Sequence, residues 1–522
     1  MRPRIKPWPA AAIRGSGLLG GPSRPSPTEA TGFAARPARS PTRADPKWPG
    51  AAAGPEPRHR GGVRAPVVYT RLAMLLILPG ACFFINPDQL EARLAEVPAQ
   101  GDSAQGSETA ATDPDEDSGQ PDSGDTGSEG ARRLYYADID GDGSGDAASA
   151  FEGTAPPPGF VSNAWDCLDN DATEPVWVAL DGSATGTGSI ERPYSSASDG
   201  ILAAQACVRI RGGEYAENID LGGRNLDIEG IDGAAATTIR AAVQGPVIAV
   251  NGGENVRLRG LTLTGGTGSI EGQAAYGGGL IVINPATLAM FDVVLTGNSA
   301  TNGGGIYSTS PNLELTDVTI TGNAAYTGAG LLQEGGSTSG THVLISGNTG
   351  GYGVAIFVAS GAVSLANSIL NGNLGTEPGD GVYAVGASIT LQNCAVVDHD
   401  VQVLLDGASA QKSSFHSRNT ILAGGQYGVL LYGTNDIDVD YTWVHDHATA
   451  DWYPADASPL SASQNAQEDP AFVEFTADGV ATNDDLHLAA GSPAINAGDP
   501  ALLDTDGTPS DVGAYGGLGG NW

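Results

Sequence analysis

The sequence predicts an all-β solenoid, a parallel β-helix, from a repeat, an alternation of apolar residues and a set of regular glycine breaks. A short pattern recurs every 25 residues, beginning at Val293, Val318, Val343 and, more loosely, Ser368. Within each repeat, apolar residues alternate with polar ones, and glycines follow. Such a period indicates stacked units that bury their apolar faces only against one another.

The alternation within one repeat identifies the secondary structure. From Val318 to Thr321 every second residue is apolar, which is the pattern of a half-buried strand. The glycines at 303–305 then turn the chain before the next apolar stretch at Ile306. Short strands joined by such turns give a parallel β-helix with about 25 residues per coil.

One polar position repeats with the same period. Asn298, Asn323, Asn348 and Asn373 each follow a glycine at the same point of the pattern. Because a side-chain amide both donates and accepts hydrogen bonds, stacked asparagines can satisfy one another along the solenoid axis. We expect these four residues to form a structural ladder at one corner of the coils.

The repeats resemble the right-handed parallel β-helix repeat proteins of bacterial surfaces, which share the pectin-lyase-like fold. The resemblance covers residues from about 176 to 522, and it implies a right-handed helix. The same fold carries lyases, hydrolases, adhesins and inert stalks, so the resemblance does not select among these functions.

The charge of the chain excludes some partners. Its 522 residues include 60 Asp and Glu against 25 Lys and Arg, for a formal net charge of −35. More than half of the basic residues precede position 72, so the remainder is strongly acidic. This balance argues against binding nucleic acid, and against anionic polymers unless divalent cations bridge the two.

The first part of the chain has the composition of a leader. Residues 1–70 are rich in Arg, Pro, Ala and Gly, and we expect either disorder or translated sequence upstream of the true start. Residues 71–82 follow the pattern of a signal peptide. Gly80, Ala81 and Cys82 resemble a bacterial lipobox, which implies an outer-membrane or cell-surface lipoprotein. Plain cleavage into the extracellular space and a buried Cys82 are the alternatives.

Membrane contact would then be through the lipid anchor alone, because the apolar run at 72–78 is too short to span a bilayer as a helix. Residues 83–131 become rich in Asp, Ser, Gly and Glu. This composition predicts an acidic disordered tether whose like charges keep it extended.

Residues 132–175 contain two acidic clusters. Hard cations such as Ca²⁺ take about six to eight oxygen ligands, which alternating carboxylates closed by glycine can supply. The clusters resemble the short metal-binding repeat of myxobacterial surface proteins, similar to thrombospondin type 3 repeats. A structural Ca²⁺ site is therefore expected, with a solvated acidic loop as the alternative. The candidate ligands are Asp138, Asp140, Asp142, Asp146, Asp166, Asp169 and Asp171.

The β-helix is predicted for residues 176–460. We expect a short helix between about 193 and 206 to cover the first coil, since a solenoid exposes the apolar face of its terminal unit. Residues 461–522 resemble the closing segment of the β-helix family. They are expected to fold back as a C-terminal cap over the open last coil.

The cysteines are Cys82, Cys167, Cys207 and Cys394. If Cys82 carries the lipid, three remain, and at least one of these is a free thiol. The favoured disulfide joins Cys167 to Cys207, and the other pairings stay open.

The coils contain few of the residues that catalysis in this fold requires. Lyases of this fold use carboxylates for Ca²⁺ and a basic side chain as proton acceptor, whereas hydrolases use converging carboxylates. After position 260, Lys412 and Arg418 are the only Lys or Arg residues. With Asp398 and Asp400 they are the catalytic candidates, although none of the four belongs to a recognisable motif.

A candidate ligand face lies near the end of the coils. Asp436, Asp438 and Asp440 alternate with apolar residues and therefore share one face of a strand. Trp443 and Trp452 follow and could stack on a sugar ring. The alternative is an outward strand solvated by its carboxylates, with the tryptophans closing the rod.

These observations favour an exported, lipid-anchored surface protein, a monomer whose calcium-stabilised β-helix binds carbohydrate or mediates adhesion without catalysis. The expected partner is a polysaccharide or cell-surface glycan. The alternatives are a polysaccharide lyase or glycoside hydrolase of the pectin-lyase-like fold, and an inert structural spacer.

Overall fold

The structure is a computed structural model that describes residues 77–78, 81–82, 133–139, 145, 149, 151–153, 155–161, 175–283, 286–377, 379–407, 411–460, 464–520 and 522. The chain forms two compact units, residues 1–119 and 120–522, which are treated separately below. The regions predicted as upstream sequence (1–70) and acidic tether (83–131) lie outside the described residues. None of the described helices is long and apolar enough to cross a membrane.

The elements up to the first coil are short. The first unit contains an antiparallel pair, in which Leu78 lies opposite Ala81 and Ile77 opposite Cys82. The second unit begins with a small antiparallel sheet, followed by one strand and one helix, α1, at Ala197–Ala203. The strands are β1 (Ile77–Leu78), β2 (Ala81–Cys82), β3 (Arg133–Ala137), β4 (Phe151–Gly153), β5 (Phe160–Val161) and β6 (Val176–Val178).

The coils that follow are built from strands of two to ten residues. The strands of the first coils are β7 (Cys207–Ile210), β8 (Gly213–Ala216), β9 (Ile219–Asp220), β10 (Leu226–Gly230), β11 (Thr237–Arg240), β12 (Ile248–Val250), β13 (Asn255–Thr264), β14 (Ser269–Glu271), β15 (Ala274–Tyr276), β16 (Leu280–Val282), β17 (Thr287–Thr296), β18 (Ser299–Asn302), β19 (Ile306–Ser308), β20 (Asn312–Thr321), β21 (Ala324–Thr327) and β22 (Leu331–Glu334). The remaining strands are β23 (Ser337–Ser346), β24 (Thr349–Tyr352), β25 (Ile356–Ala359), β26 (Ala362–Asn371), β27 (Leu374–Gly375), β28 (Val382–Val385), β29 (Ser388–Val397), β30 (Val401–Gly407), β31 (Ser413–Arg418), β32 (Ile421–Ala423), β33 (Tyr427–Gly433), β34 (Asn435–Asp440), β35 (Trp443–His445), β36 (Ala450–Tyr453), β37 (Phe472–Glu474) and β38 (Asp485–Leu488). Two 3-10 turns lie at Ala455–Ala457 and Ala481–Asn483.

Three sheets run along the solenoid, because successive coils add strands to sheets 1 and 2 throughout and the middle coils also add strands to sheet 3. Sheet 1 has the path β6-β7-β10-β13-β17-β20-β23-β26-β29-β31-β34, and sheet 2 the path β9-β12-β16-β19-β22-β25-β28-β30-β33-β36. Sheet 3 follows the order β14-β15-β18-β21-β24-β27. The strands between successive coils are parallel, with Leu295 beside Ile320 and Ile320 beside Ile345. The predicted all-β parallel β-helix is confirmed, with about nine turns of roughly 25 residues.

The ten-residue strands of sheet 1 bend at their middle. In β20 the buried side chains are Leu313 and Leu315 before the bend and Val318 and Ile320 after it, so the alternation shifts by one residue. The bend lies at Asp317, whose φ is +54°. Asp and Asn tolerate this left-handed conformation better than most residues. Equivalent positions in the neighbouring coils are Asp292, His342, Asn367, Asn393 and Asn419.

The asparagine ladder is present in the structure. The Nδ2 atoms donate along the axis from Asn298 to Asn323 (3.0 Å), from Asn323 to Asn348 (3.1 Å) and from Asn348 to Asn373 (2.8 Å). Each amide also bonds the backbone, as Asn348 does at Ile320 O (2.9 Å). All four side chains are buried, so the ladder removes amides from water without leaving them unsatisfied.

A histidine terminates the ladder. Asn373 Nδ2 lies 3.0 Å from His399 Nε2, and His399 Nδ1 lies 2.8 Å from Gln402 Oε1. Because the amide nitrogen can only donate, Nε2 accepts and Nδ1 carries the proton, which makes the ring neutral. Burial lowers the pKa of His399 from 6.5 to about 4.

We expect this histidine to make the solenoid sensitive to acid. Its contribution to stability is complete above pH 6.5 and is lost as the pH falls through 4, because the unfolded chain binds the proton more readily. The loss approaches about 3 kcal/mol. Thermal unfolding of wild type and His399→Gln should therefore diverge between these pH values, with His416→Gln as the exposed control. Parallel pH profiles would contradict the assignment.

The start of the solenoid is covered by α1. Ser196 caps the helix, and the Glu217 carboxylate accepts hydrogen bonds from the backbone of Ala197 and Ser198, both at 2.8 Å. Ile201 enters the core of the first coil. The expected capping helix is therefore present.

Cys207 is disulfide-bonded and Cys394 is a buried free thiol, whereas Cys167 lies outside the described residues, so its pairing stays a prediction.

The C-terminal part lies along the side of the solenoid, which differs from the predicted cap over the last coil. Ala466 pairs with Trp443, so residues 464–467 extend the last coil. Beyond 469 the chain packs its apolar residues against the second halves of the sheet 1 strands, burying Leu486 and Val512 against Ile369 and neighbouring residues. We call residues 469–522 the lateral segment.

The lateral segment is held by the residues at the sheet 1 bends. Asn367 Nδ2 donates to Ala514 O (3.0 Å), and Asn419 Oδ1 accepts from Asp499 N (2.8 Å). Outward positions after the bend change from Thr319 to apolar Ile369 where the segment begins to cover them. The apolar residues of the lateral segment are therefore buried against the side of the coils and not against the open end of the solenoid.

Candidate functional site

The outward face of sheet 1 before the bends is a continuous surface, because side chains in register form rows that cross the coils. One row runs Asp227, Arg257, Ala289, Glu314, Ser339, Ser364, Thr390, His416 and Asp438. The adjacent row runs Glu229, Arg259, Phe291, Thr316, Thr341, Ala366, Gln392, Arg418 and Asp440. Charged residues are concentrated at both ends, and mostly small residues lie between them, with Glu314 and Phe291 as exceptions.

At one end, basic side chains of β31 meet acidic side chains of β34. His416 lies beside Asp438 in register, and Arg418 lies beside Asp440. Lys412 Nζ is 2.5 Å from Asp436 Oδ1, and His416 Nδ1 is 3.5 Å from Asp438 Oδ2. The structure therefore places Asp436, Asp438 and Asp440 on one outward face, opposite basic side chains that the sequence did not pair with them.

A depression of about 190 Å³ lies in this face, lined by Thr390, Gln392, His416, Arg418, Asp438 and Asp440 among others. The Arg418 side chain is 48% exposed and that of Asp438 is 77% exposed, so both can reach a ligand. Arg418 Nη1 is also 3.1 Å from Asp499 Oδ2 of the lateral segment. We call the three acidic and three basic residues around this depression the ligand face: Lys412, His416, Arg418, Asp436, Asp438 and Asp440.

Trp443 and Trp452 are not part of the ligand face, which corrects the expectation of a stacking platform there. They are only 4% and 3% exposed. Trp452 packs in the solenoid core and Trp443 in the cluster under the lateral segment. Trp443 lies in β35 and Trp452 in β36, each packed in an apolar cluster, so burial of a large apolar ring outweighs exposure.

The four catalytic candidates lie in two separate places. Asp398 is buried at a corner of the coil, where its Oδ2 accepts a hydrogen bond of 2.6 Å from Gly479 N of the lateral segment. Burial raises the pKa of this carboxyl. Asp400 N contacts Asp380 at the neighbouring turn, whereas Lys412 and Arg418 lie on the ligand face. Among the described residues, no hydrogen bond or ion pair joins Asp398 or Asp400 to either base.

A second charged group at the other end was missed from the sequence. Asp227 Oδ2 lies 3.4 Å from Arg257 Nη1 and 3.5 Å from Arg259 Nη2, while Arg209 Nη1 lies 3.2 Å from Glu229 Oε2. Beside it is a groove of about 430 Å³ lined by polar residues such as Asn225 and Asn255 and by apolar residues such as Leu226. The alternating charges in β10 and β13 were visible, but only their register shows that they neutralise one another.

The predicted Ca²⁺ ligands are largely beyond what the structure covers. Asp138 follows β3, where its N–H donates to Gly159 O (2.8 Å). The others, Asp140, Asp142, Asp146, Asp166, Asp169 and Asp171, lie outside the described residues. In the described part of the chain no group of three or more His, Cys, Asp or Glu side chains is arranged to hold a metal ion. The calcium site therefore stays a prediction.

The fold defines the chain as a parallel β-helix protein, and comparisons add no narrower class. No protein-family model and no curated protein matches it. Among solved structures it is similar to pectate lyase Pel9A, at 14% identity and a TM-score of 0.39 over 66% of this chain and 96% of that one. It is also similar to pectin methylesterases from Aspergillus niger and from carrot. Both are 13% identical over 51% of this chain, with TM-scores of 0.26 and 0.25 over 89% and 88% of theirs. At these values the likeness carries no argument about activity.

Proposed function

We propose that the protein is an exported surface protein whose β-helix binds a hydroxyl-rich glycan on the outward face of sheet 1, without catalysis. The observation that supports this most is the depression in the ligand face, where exposed donors and acceptors converge on one concave surface. Export and a lipid on Cys82 rest on the sequence pattern alone, as does the structural Ca²⁺ site.

The charge of the ligand face favours a neutral glycan. Lys412 and Arg418 are outnumbered by Asp436, Asp438 and Asp440, and the whole chain is acidic. Carboxylates accept hydrogen bonds from sugar hydroxyls, and a guanidinium donates to them in a fixed fork. Exposed ion pairs contribute little free energy to stability. The hydroxyl groups of a sugar can therefore replace the contacts between the acidic and the basic side chains of the ligand face.

The same geometry argues against lyase chemistry at this face. A proton acceptor has to be free of the groups that hold it as a cation, whereas Lys412 pairs with Asp436 and Arg418 with Asp499. The carboxylates Asp398 and Asp400 lie elsewhere, and Asp398 binds the lateral segment. Binding without turnover is therefore the function that these contacts support best.

The test is co-sedimentation of the full chain with insoluble neutral polysaccharides and with polygalacturonate gel, while reducing ends and double-bond absorbance are followed. We expect retention on a neutral polymer without turnover. Arg418→Ala should weaken binding about tenfold, equivalent to about 1.4 kcal/mol. Arg240→Ala is the matched control, because Arg240 is 47% exposed and also paired, with Glu214.

Asp438→Ala separates binding from folding. Among the described residues Asp438 pairs with His416 and with no residue of the lateral segment, so its loss should reduce binding while leaving the melting temperature unchanged. Equal retention of wild type and both variants would refute the ligand face. Turnover that depends on Arg418 would instead establish an enzyme.

A further inference from the structure

Four aromatic rings form a row where the lateral segment crosses the solenoid. His487 stacks on Tyr515 with centroids 3.7 Å apart and an angle of 10°. Tyr515 is followed by Trp522 at 5.7 Å and 29°, and Trp522 by His342 at 5.3 Å and 15°. The row joins a bend residue of the coils to the lateral segment, and it shares no residue with the ligand face.

The row borders a depression of about 480 Å³. Its floor includes Leu486, Val512 and Ala514, which are buried. Trp522 is 38% exposed and the His487 side chain is 57% exposed, so these rings present apolar surface to solvent. A flat apolar wall beside an open depression of this size is suited to a small ligand with one apolar face.

Polar groups at the rim are fixed by neighbours. Asp485 Oδ1 lies 2.7 Å from His487 Nδ1, so Nδ1 carries a proton and Nε2 is the ring nitrogen that can meet a ligand. Asp511, which also lines the depression, accepts a hydrogen bond of 2.7 Å from Asn496 N through one oxygen. Trp522 Nε1 donates to Ala514 O (3.3 Å), which orients the indole. The rim thus offers oriented polar groups beside the aromatic wall.

We propose that this depression is a second carbohydrate site, which binds one neutral hexopyranose unit with its C–H face against the His487, Tyr515 and Trp522 rings. The hydroxyls of the sugar edge donate to Asp511 and form a hydrogen bond with His487 Nε2. Anchoring of the lateral segment does not require exposed rings, because buried apolar residues and Asn367, Asn393 and Asn419 already hold it. The exposed part of the row is therefore available to a ligand.

The experiment is titration of the full chain with methyl β-galactopyranoside and methyl α-glucopyranoside. Binding is measured by calorimetry and by protection of tryptophan fluorescence from iodide. At least one sugar should bind and protect. Trp522→Ala should weaken binding roughly tenfold, about 1.4 kcal/mol, and Trp522→Phe should restore part of it.

Tyr326→Ala is the matched control, since Tyr326 is 37% exposed and lies in sheet 3. It should leave binding unchanged. Absence of binding by both sugars, or equal binding by wild type and Trp522→Ala, would overturn the second site. Because Arg418→Ala and Asp438→Ala should not alter binding of the monosaccharides, failure here is distinguishable from failure of the ligand face.

Discussion

Replacement of Asn348 by Ala is expected to lower the free energy of unfolding by about 4 kcal/mol, because an interior rung of the ladder serves two neighbours. Its Oδ1 accepts from both the backbone and the side-chain nitrogen of Asn323, at 2.9 and 3.1 Å. Its Nδ2 donates to Ile320 O and to Asn373 Oδ1. The substitution leaves buried partners without hydrogen bonds and also creates a small cavity.

Chemical denaturation monitored by circular dichroism measures this loss. Asn312→Ala is the matched control, since Asn312 lies in β20, the strand of the preceding coil that pairs with β23, and its side chain bonds Glu314 on the exposed face. It should change the free energy of unfolding by less than about 0.5 kcal/mol. A similarly small change in the free energy of unfolding of Asn348→Ala would mean that water replaces the hydrogen bonds of the missing amide, which would contradict the ladder as a closed set of hydrogen bonds.

The sequence was most informative where the chain is periodic. Residues such as Asn323 and Ile320 recur at a fixed interval, so their stacking follows from counting, and the structure places them as counted. The interval fails at His399, which follows Asn373 by 26 residues. Because of this one additional residue, the ladder ends in a titratable ring. Residue propensities do not predict which side chain points inward after such an insertion.

The rest of the fold depends on contacts that have no local signal. The lateral segment packs against coils far earlier in the chain, as Asn419 does with Asp499, 80 residues apart, and Asn367 with Ala514, 147 residues apart. Its apolar residues were visible, but not whether they cover an end or a side. The change from Thr319 to Leu344 and Ile369 at outward positions was the available sign, because an exposed row has no reason to become apolar.

Only the acidic half of the ligand face was predictable from the sequence, because the basic half depends on contacts between coils. Alternation placed Asp436, Asp438 and Asp440 on one face, since a strand has a period of two. The opposing basic residues come from the preceding coil. Only the register that sets His416 beside Asp438 brings the basic and the acidic side chains together. Trp443 shows the converse case, because an aromatic residue next to carboxylates indicated a ligand platform, whereas burial governs its position.

Replacement of Asp380 by Asn is expected to stabilise the protein at alkaline pH. Asp380 is 3% exposed, and its Oδ2 accepts a long hydrogen bond of 3.4 Å from Asp400 N. Burial, with the nearby Asp400 charge as a lesser cause, raises the pKa of Asp380 from 3.8 to about 7. The folded state therefore favours the protonated carboxyl, which a neutral amide of the same shape imitates.

The sign of the pH dependence follows from this direction. Because the folded pKa is raised, the protonated group supports stability fully below pH 3.8, and that support is lost as the pH rises through 7. Above pH 8 the wild type should be less stable than Asp380→Asn by up to about 4 kcal/mol, whereas near pH 4 the two should coincide.

Melting temperatures across this range provide the measurement, and Asp181→Asn, at an exposed position, is the control that should follow the wild type throughout. His399 acts with the opposite sign, since its support is lost toward acid. Comparison of Asp380→Asn with wild type at each pH cancels the histidine term. A constant difference between them would mean that Asp380 is ionised in the fold and solvated in a way that its burial does not indicate.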